Sequence, residues 1–502
     1  MHDAPRGDHR TTLLIVIAIA LALLAFHIAT NNQYGFHRDE LQTVDDARHM
    51  DWGFVAYPPV TPFFGWLSHL LFGDSLRGYR FFPALAQSLV MILAALMARE
   101  LGGRRLAQLI AALAVMVAPV SLAAGALYQY VSFDFLWWVL LAYLVIRLRR
   151  TEDDRLWLPI GAVIGLGMMT KYTMLFLALG LVTGVLLDAR RYLRSKWLWA
   201  GVALSLAIFL PHAIWQFRHD FITADFLRHI HERDVRIGRT KNFLPEQFLI
   251  GANLFTVPIW LAGLYFYFRH PEGRSFRILG WMFIVPLVFF VIAKGRGYYM
   301  APAYPMLLAA GAVFLEHWVS NRRPKPSRAI VAATSAMIAV GGVLVAPIAM
   351  PLVPVNSALF QKIDNDDFRE EIGWPELVQE VARIRDTLPA TEKNNFGILA
   401  GNYGEAGAIN LLGSQYGLPR AISGTNSFWL RSYPQNEPQT LIVLGFSRRG
   451  LEEVFQQCEL AGKITNSYGV KNEESEDHPE IYVCRTLRQP WPEFWKTFRR
   501  FG

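Results

Sequence analysis

The sequence predicts an α-helical integral membrane protein of about eleven spans that continues into a soluble α/β domain. Three observations lead there. The 502 residues are 53% hydrophobic with a mean hydropathy of +0.24. Apolar stretches able to cross ~30 Å of hydrocarbon recur through residues 1–350. Beyond residue 356 the pattern changes to alternating helix and strand signals.

The first apolar stretch runs from Thr11 to Thr30. It is long for a signal-peptide core and is followed by Asn31-Asn32-Gln33-Tyr34, not by a small-residue cleavage site. The other stretches fall at 82–101, 106–123, 133–148, 157–170, 172–188, 197–217, 247–268, 278–294, 300–319 and 329–350. The net charge of +8 raises the question of a polyanionic partner. Its distribution argues against nucleic acid, because the bases gather in short loops: Gly102 to Arg105, Arg147 to Arg155, Arg190 to Lys196, Arg269 to Arg277 and Asn321 to Lys325. Counting spans in order puts all these loops on one side, which the positive-inside rule makes cytoplasmic. The N-terminus is then inside, and the residues after Pro351 are outside.

Between the first two spans lies an outer loop, 31–81, longer than a connection needs. Its proline and aromatic content predicts short interfacial helices, with Trp52, Phe63, Phe64 and Trp66 at the lipid headgroups. A second outer loop, Arg218 to Gln247, carries His219, His229, His231, Glu232, Arg233 and Asp234. No metal-ligand spacing of the His-Glu-x-x-His kind is present, so it reads as a solvated, partly amphipathic loop with no metal.

The predicted domains are therefore 1–350 in the membrane and 356–502 outside it. In the second, Phe368 to Leu388 reads as a helix with Ile372, Leu377, Val378, Val381 and Ile384 on one face. Phe396 to Ala400 and Leu441 to Gly445 read as buried parallel strands, with a later strand at Ile481 to Cys484 and a doubly wound arrangement as the expectation. Ala400-Gly401-Asn402-Tyr403-Gly404-Glu405-Ala406-Gly407 sits at a strand-to-helix turn; its glycine spacing is wrong for a dinucleotide site and reads as tight turning. The only cysteines, Cys458 and Cys484, lie in this outer segment, where a disulfide and two buried thiols are both open readings.

Chemistry is legible where charges meet the membrane surface. Asp39 and Glu40, in Gly35-Phe36-His37-Arg38-Asp39-Glu40-Leu41, follow directly on the first span. Adjacent carboxylates there are costly to desolvate and call for a functional reason. Span parity puts Tyr57, Asp134, Lys171, Lys294 and Arg296 on the same outer side, beside Tyr298 and Tyr299. A set of carboxylates and cations at one interface suits an anionic leaving group and an acceptor hydroxyl that must lose a proton. Structural readings stand beside this one: Lys171 and Lys294 snorkelling at span ends, and Asp134 capping a helix.

These residues resemble a known family. His37-Arg38-Asp39-Glu40 with Asp51-Trp52-Gly53 and Tyr57-Pro58-Pro59-Val60-Thr61-Pro62, then Leu71 to Leu85, Thr170-Lys171-Tyr172, and Tyr298-Tyr299-Met300-Ala301-Pro302-Ala303-Tyr304-Pro305 occur in the order of bacterial GT-C type membrane glycosyltransferases. These are related to protein O-mannosyltransferases and to the lipid A aminoarabinose transferase. The resemblance implies a GT-C bundle in the inner membrane that moves a sugar, with inversion, from a polyprenyl-phosphate donor to a hydroxyl of an unidentified envelope acceptor. It implies Asp39 as base, Glu40 as its helper, Asp134 as a second acid, and Lys171, Lys294, Arg296, Tyr298 and Tyr299 at the donor phosphate. His37, Arg38 and Tyr57 would line the substrate pocket. The lipid-linked sugar is a substrate, so no cofactor is expected. One departure limits the analogy: the aminoarabinose transferases carry a lysine before the proline where this chain has Tyr57, so donor identity does not transfer. A lipid-linked-sugar flippase and a non-catalytic envelope scaffold are the rival classes. A transporter would show inverted repeats with ionisable groups near the midplane, whereas here the charges sit at one face.

The topology has a direct check. A reporter active only outside the cytoplasm, fused after Gly502, is expected to be active; a cytoplasmic signal would overturn the shared-face assignment.

Overall fold

The structure is a computed structural model that describes residues 6–321, 323–363 and 365–502. Arg322 of the expected basic loop and the first five residues, both used in the orientation argument, lie outside them. The chain forms two compact units. One takes in the chain to Asn31 together with Arg80–His219 and His231–Leu352; the other comprises Asn32–Tyr79, Asp220–Ile230 and Val353–Gly502. The chain divides at Leu352/Val353, close to the expected residue 350, but the first long loop packs with the tail and not with the spans. Tyr34 shows why: its ring packs edge-on against Phe360 and Phe368, and its hydroxyl donates to the Val353 carbonyl.

Among the described residues seven helices are long and apolar enough to cross a membrane: Arg10–Thr30, Leu76–Glu100, Tyr130–Thr151, Lys196–Arg218, Pro271–Ile292, Gly297–Ser320 and Lys325–Ala349. Two bent pairs raise the number to nine if each is one crossing. Arg105–Met116 meets Pro119–Ala126 at 61°, and Phe243–Gly251 meets Leu254–Phe268 at 85°. The first bend falls at Pro119, which cannot accept continuation of the preceding helix. The second falls at Asn253, whose side chain accepts from Phe255 N and donates to the Val117 carbonyl.

The expected stretches 157–170 and 172–188 become helices Trp157–Met168 and Met174–Asp188, of 12 and 15 residues. At 1.5 Å per residue they are roughly 18 and 23 Å long, short of the hydrocarbon thickness. The turn between them keeps Thr170, Lys171, Tyr172 and Thr173 out of both helices, where the expected stretches also part.

Small residues set the closest helix contacts. A Cβ on Gly161 would lie 2.0 Å from the Gly201 carbonyl oxygen, so Trp157–Met168 packs backbone to backbone on Lys196–Arg218. Gly263 does the same for Val257–Phe268 against Tyr304–Ser320, with 2.0 Å to the Leu307 carbonyl.

The other unit carries a five-stranded sheet: β1 (Phe396–Ala400), β2 (Ala421–Ile422), β3 (Thr440–Leu444), β4 (Phe455–Lys463) and β5 (Glu480–Leu487), in the order β2-β1-β3-β5-β4. β1 pairs in parallel with β2 and β3, with Ile398 opposite Ile442. β5 is antiparallel to β3 and β4, so the sheet is mixed and not doubly wound throughout. β4 is mostly exposed and has no continuous apolar run, which is why its sequence does not announce a strand. Cys458 and Cys484, opposite each other in β4 and β5, form a disulfide.

The expected helix from Phe368 is broken: Gly373, at φ 104°, separates Asp366–Arg369 from Trp374–Thr387, which buries Leu377, Val378, Val381 and Ile384. The expected solvated loop Arg218 to Gln247 contains the helix Ile222–Arg236. Helix Val60–Phe72 keeps Phe63, Trp66, Leu70 and Leu71 exposed, an apolar face of the kind expected at an interface.

The disulfide spans 26 residues of chain. Replacing both cysteines by serine should lower the unfolding free energy of the sheet by roughly 3 kcal/mol, read by denaturant titration of the purified protein.

Candidate functional site

The candidate residues fall into two groups, one in each unit. In the unit that carries the sheet, the helix Arg38–Ala47 begins with a reciprocal cap. The Asp39 amide donates to His37 Nδ1 (3.1 Å), and the His37 amide donates to Glu40 Oε2 (2.8 Å). Glu40 is fully buried and its carboxylate serves the helix start. Asp39 is half-buried, and its Oδ1 accepts a 2.6 Å hydrogen bond from the hydroxyl of Tyr403.

Arg38 lies over the Tyr403 ring at 5.0 Å and forms ion pairs with Glu473 and, at 3.8 Å, with Glu370. The surrounding carboxyls are desolvated: burial pushes Glu370, Glu405 and Glu474 each up to about 7. Tyr57, expected at the substrate pocket, is buried and donates to Asp46 Oδ2 (2.7 Å), with Thr43 Oγ1 3.2 Å from its hydroxyl. Asp45 and Asp46 share the guanidinium of Arg431, and burial still raises Asp46 to about 6. Arg431 lies 386 residues from Asp45, so the local sequence does not announce the pairing.

In the other unit, Asp134 stands just past the first turn of the helix Tyr130–Thr151. Its Oδ2 accepts from Thr173 Oγ1 at 2.8 Å, and its Oδ1 has no hydrogen-bond partner among the described residues. Its side chain is therefore used across helices and not as a helix cap. Lys171 occupies the turn between the two short helices. Its ammonium faces three tyrosine rings, at 4.6 Å from Tyr130, 5.3 Å from Tyr298 and 4.1 Å from Tyr299. Asp134 and Arg296 are the charged groups that act on it.

Arg296 is itself held by Asp234 in a two-pronged pair, Nε to Oδ2 at 2.6 Å and Nη2 to Oδ1 at 2.9 Å. Lys294 is exposed and lines a cavity of about 430 Å³ with His231, Glu232, Val235, Arg236, Ile292 and Ala293. Lys171, Arg296, Tyr298, Tyr299 and Asp134 are thus gathered as one cluster.

Sequence reasoning missed Tyr130, Thr173 and Tyr403 as partners, and read Asp234 only as part of a histidine-rich loop. The signal for Tyr130 was present, in Tyr128-Gln129-Tyr130 ahead of Asp134. Among the described residues no group of three or more His, Cys, Asp or Glu side chains is placed to hold a metal ion.

The buried carboxyls make stability depend on pH. Glu405 binds its proton more tightly folded (about 7) than unfolded (4.5), so its contribution is present below 4.5 and is lost as pH rises through 7. Glu405→Gln is expected to remove about 3 kcal/mol of this fall between pH 4.5 and 7. Denaturant midpoints of the two proteins across that range check it.

Comparison with known proteins shows what the chain is similar to. Residues 56–215 match the family described as dolichyl-phosphate-mannose-protein mannosyltransferase, a segment that holds Tyr57, Asp134 and Lys171 but neither Asp39 nor Arg296. An undecaprenyl phosphate-alpha-4-amino-4-deoxy-L-arabinose arabinosyl transferase of Pseudomonas fluorescens is 27% identical over 279 residues, 51% of this chain and 49% of the relative. The lipid A galacturonosyltransferase RgtD of Rhizobium johnstonii is 27% identical over 198 residues, 37% of this chain and 40% of the relative. The chain thus spans about half the length of the arabinosyl transferase it matches. Among solved structures, ArnT of Cupriavidus metallidurans bound to undecaprenyl phosphate superposes with a TM-score of 0.59 at 16% identity, over 94% of this chain and 97% of that one. An oligosaccharyltransferase of Archaeoglobus fulgidus gives 0.55 at 12% identity, over 86% and 68%. At such identities the two structures speak for the fold. Motifs, matched segment and fold together show this chain to be similar to GT-C type membrane glycosyltransferases related to ArnT and the protein O-mannosyltransferases.

Proposed function

We propose that the protein transfers a sugar, with inversion at the anomeric carbon, from a polyprenyl-phosphate donor to a hydroxyl of an envelope glycan, lipid or protein. The reaction takes place at the periplasmic face of the bacterial inner membrane. In this reading the chain crosses the membrane about eleven times, with the two short helices among the crossings. Its N-terminus is cytoplasmic, and residues 356–502 form an extracytoplasmic α/β domain.

The observation that carries the reading is the state of Lys171. An ammonium has three hydrogens to donate, yet among the described residues Lys171 meets ring faces and no hydrogen-bond acceptor. A phosphate oxygen supplies the acceptor it lacks. The lipid-phosphate substrates in the names of the relatives support the same chemistry.

The step balances without a cofactor. Asp39 takes the proton of the acceptor hydroxyl, and the acceptor oxygen forms a bond to the anomeric carbon. The bond from that carbon to the phosphate oxygen breaks, and its electron pair stays on the polyprenyl phosphate. That leaving group is already anionic, so it needs charge stabilisation more than protonation. We assign this to Lys171 and Arg296, with Tyr298 and Tyr299 around them and Lys294 as a further cation. Asp134 orients Lys171. Glu40 and His37 build the helix start that presents Asp39, and Arg38 supports it from the side.

Mass spectrometry of lipids, glycans and surface proteins from cells with wild type, a deletion, Asp39→Asn or Lys171→Met tests the reading. A hexose- or pentose-type mass present in wild type should be absent in the deletion and reduced about 10²-fold or more by Asp39→Asn. Lys171→Met should lower it by a similar factor. Product retained by Asp39→Asn would overturn the base.

A further inference from the structure

The segment from Gly401 to Gly407 contains more than a tight turn. Asn402 Oδ1 accepts the Glu405 amide at 2.9 Å, while Glu405 Oε2 accepts the amides of Gly401 (2.9 Å) and Asn402 (3.3 Å). This reciprocal cap starts the helix Tyr403–Leu412 at Tyr403. Gly404 and Gly407, three residues apart, lie on one face of that helix. A Cβ at Gly404 would come within 3.0 Å of Arg38 Cβ, and one at Gly407 within 2.8 Å of the Leu41 backbone. Gly407 lets this helix rest on the backbone of Arg38–Ala47, and Gly404 leaves room for the Arg38 side chain and the Trp374 ring. The result is the 2.6 Å bond from the Tyr403 hydroxyl to Asp39 Oδ1.

We propose that Tyr403 is a positioning residue for the base: its hydroxyl holds one oxygen of Asp39, fixes the carboxylate, and keeps it ionised. The inference rests on the assignment of Asp39 as base made above. Burial, with the Asp39 charge beside it, pushes the Tyr403 phenol far up, so it remains a donor throughout the working range. A donor to the charged form favours that form. The guanidinium of Arg38 over the ring holds the phenol in place.

Other titratable groups stand around the pair. On the same helix and its cap they are His37, Arg38 and Glu40; from the helix Tyr403–Leu412, Glu405; from the turn before β5, Glu473 and Glu474; and from 366–371, Asp367 and Glu370. Tyr403 is the one whose contribution Tyr403→Phe removes while the ring stays.

The test uses the full-length purified protein and the product identified in cells. Carboxyls are labelled with a carbodiimide and glycine ethyl ester across pH, and the Asp39 label is divided by that of exposed Asp51 in the same sample. Tyr403→Phe should move the Asp39 midpoint up by about one pH unit. Product formation should fall about ten-fold on the acid limb of its pH profile and recover as pH rises, the limb moving with the midpoint. An unmoved midpoint overturns the role of Tyr403 and leaves the base assignment standing. A moved midpoint with an unmoved acid limb overturns Asp39 as base, as does product retained by Asp39→Asn. New labelling of buried Glu405 would report a lost fold. In that case Gly407→Ala, which keeps the hydroxyl but crowds Leu41, is measured instead, and the same upward shift is required of it.

Discussion

The contact of the helix Tyr403–Leu412 with the helix Arg38–Ala47 depends on glycine at 404 and 407, and most of the charge arrangement in that unit follows from it. With the two backbones this close, the Arg38 side chain is held between the Tyr403 ring and Glu473 and Glu370. One turn and more along the same contact, Asn410 donates to Asp45 Oδ1 at 2.9 Å. Arg431 closes on Asp45 and Asp46 from the following segment, and Tyr57 completes Asp46. Desolvated carboxylates are tolerated only when paired and hydrogen-bonded, and removing one partner of such a pair typically costs ~3–5 kcal/mol. The first outer loop is therefore bound to the tail by its charges as much as by its apolar core.

Lys171 illustrates a different solution. It sits in a turn that interrupts what would otherwise be a long apolar run, and the turn is itself braced: Trp137 donates to Thr170, and Thr173 donates to Asp134. Ring faces attract the ammonium without consuming its hydrogens. Asp234 takes both prongs of Arg296, which fixes the guanidinium beside the same tyrosines. The cluster is charged, and its ammonium retains donor capacity for an anion.

Much of the architecture was legible in the sequence, for local reasons. A chain that crosses hydrocarbon must be apolar along the whole crossing, so the long runs are visible one window at a time. β1 and β3 are buried on both faces and read as continuous apolar runs; β4, on the sheet edge, does not. The count of crossings was harder, because composition does not show which apolar stretches bend and which form helices of only 12 and 15 residues.

The sequence by itself determined the recurrent apolar spans, the parallel pair β1 and β3, the motif around Asp39 and the family resemblance that motif carries. Each depends on residues close together in the chain. Only the tertiary structure decided what those residues touch. Asp39 meets Tyr403 across 364 positions, and Lys171 shares its cage with tyrosines on either side of it in sequence. The open choice between disulfide and thiols also closed only when β4 and β5 paired. Periodicity records which face of an element is buried, but carries no record of which distant element covers it. Asp39 was conspicuous in the sequence as a charge without a partner. The fold pairs it with a phenol whose own helix is held against it by two glycines.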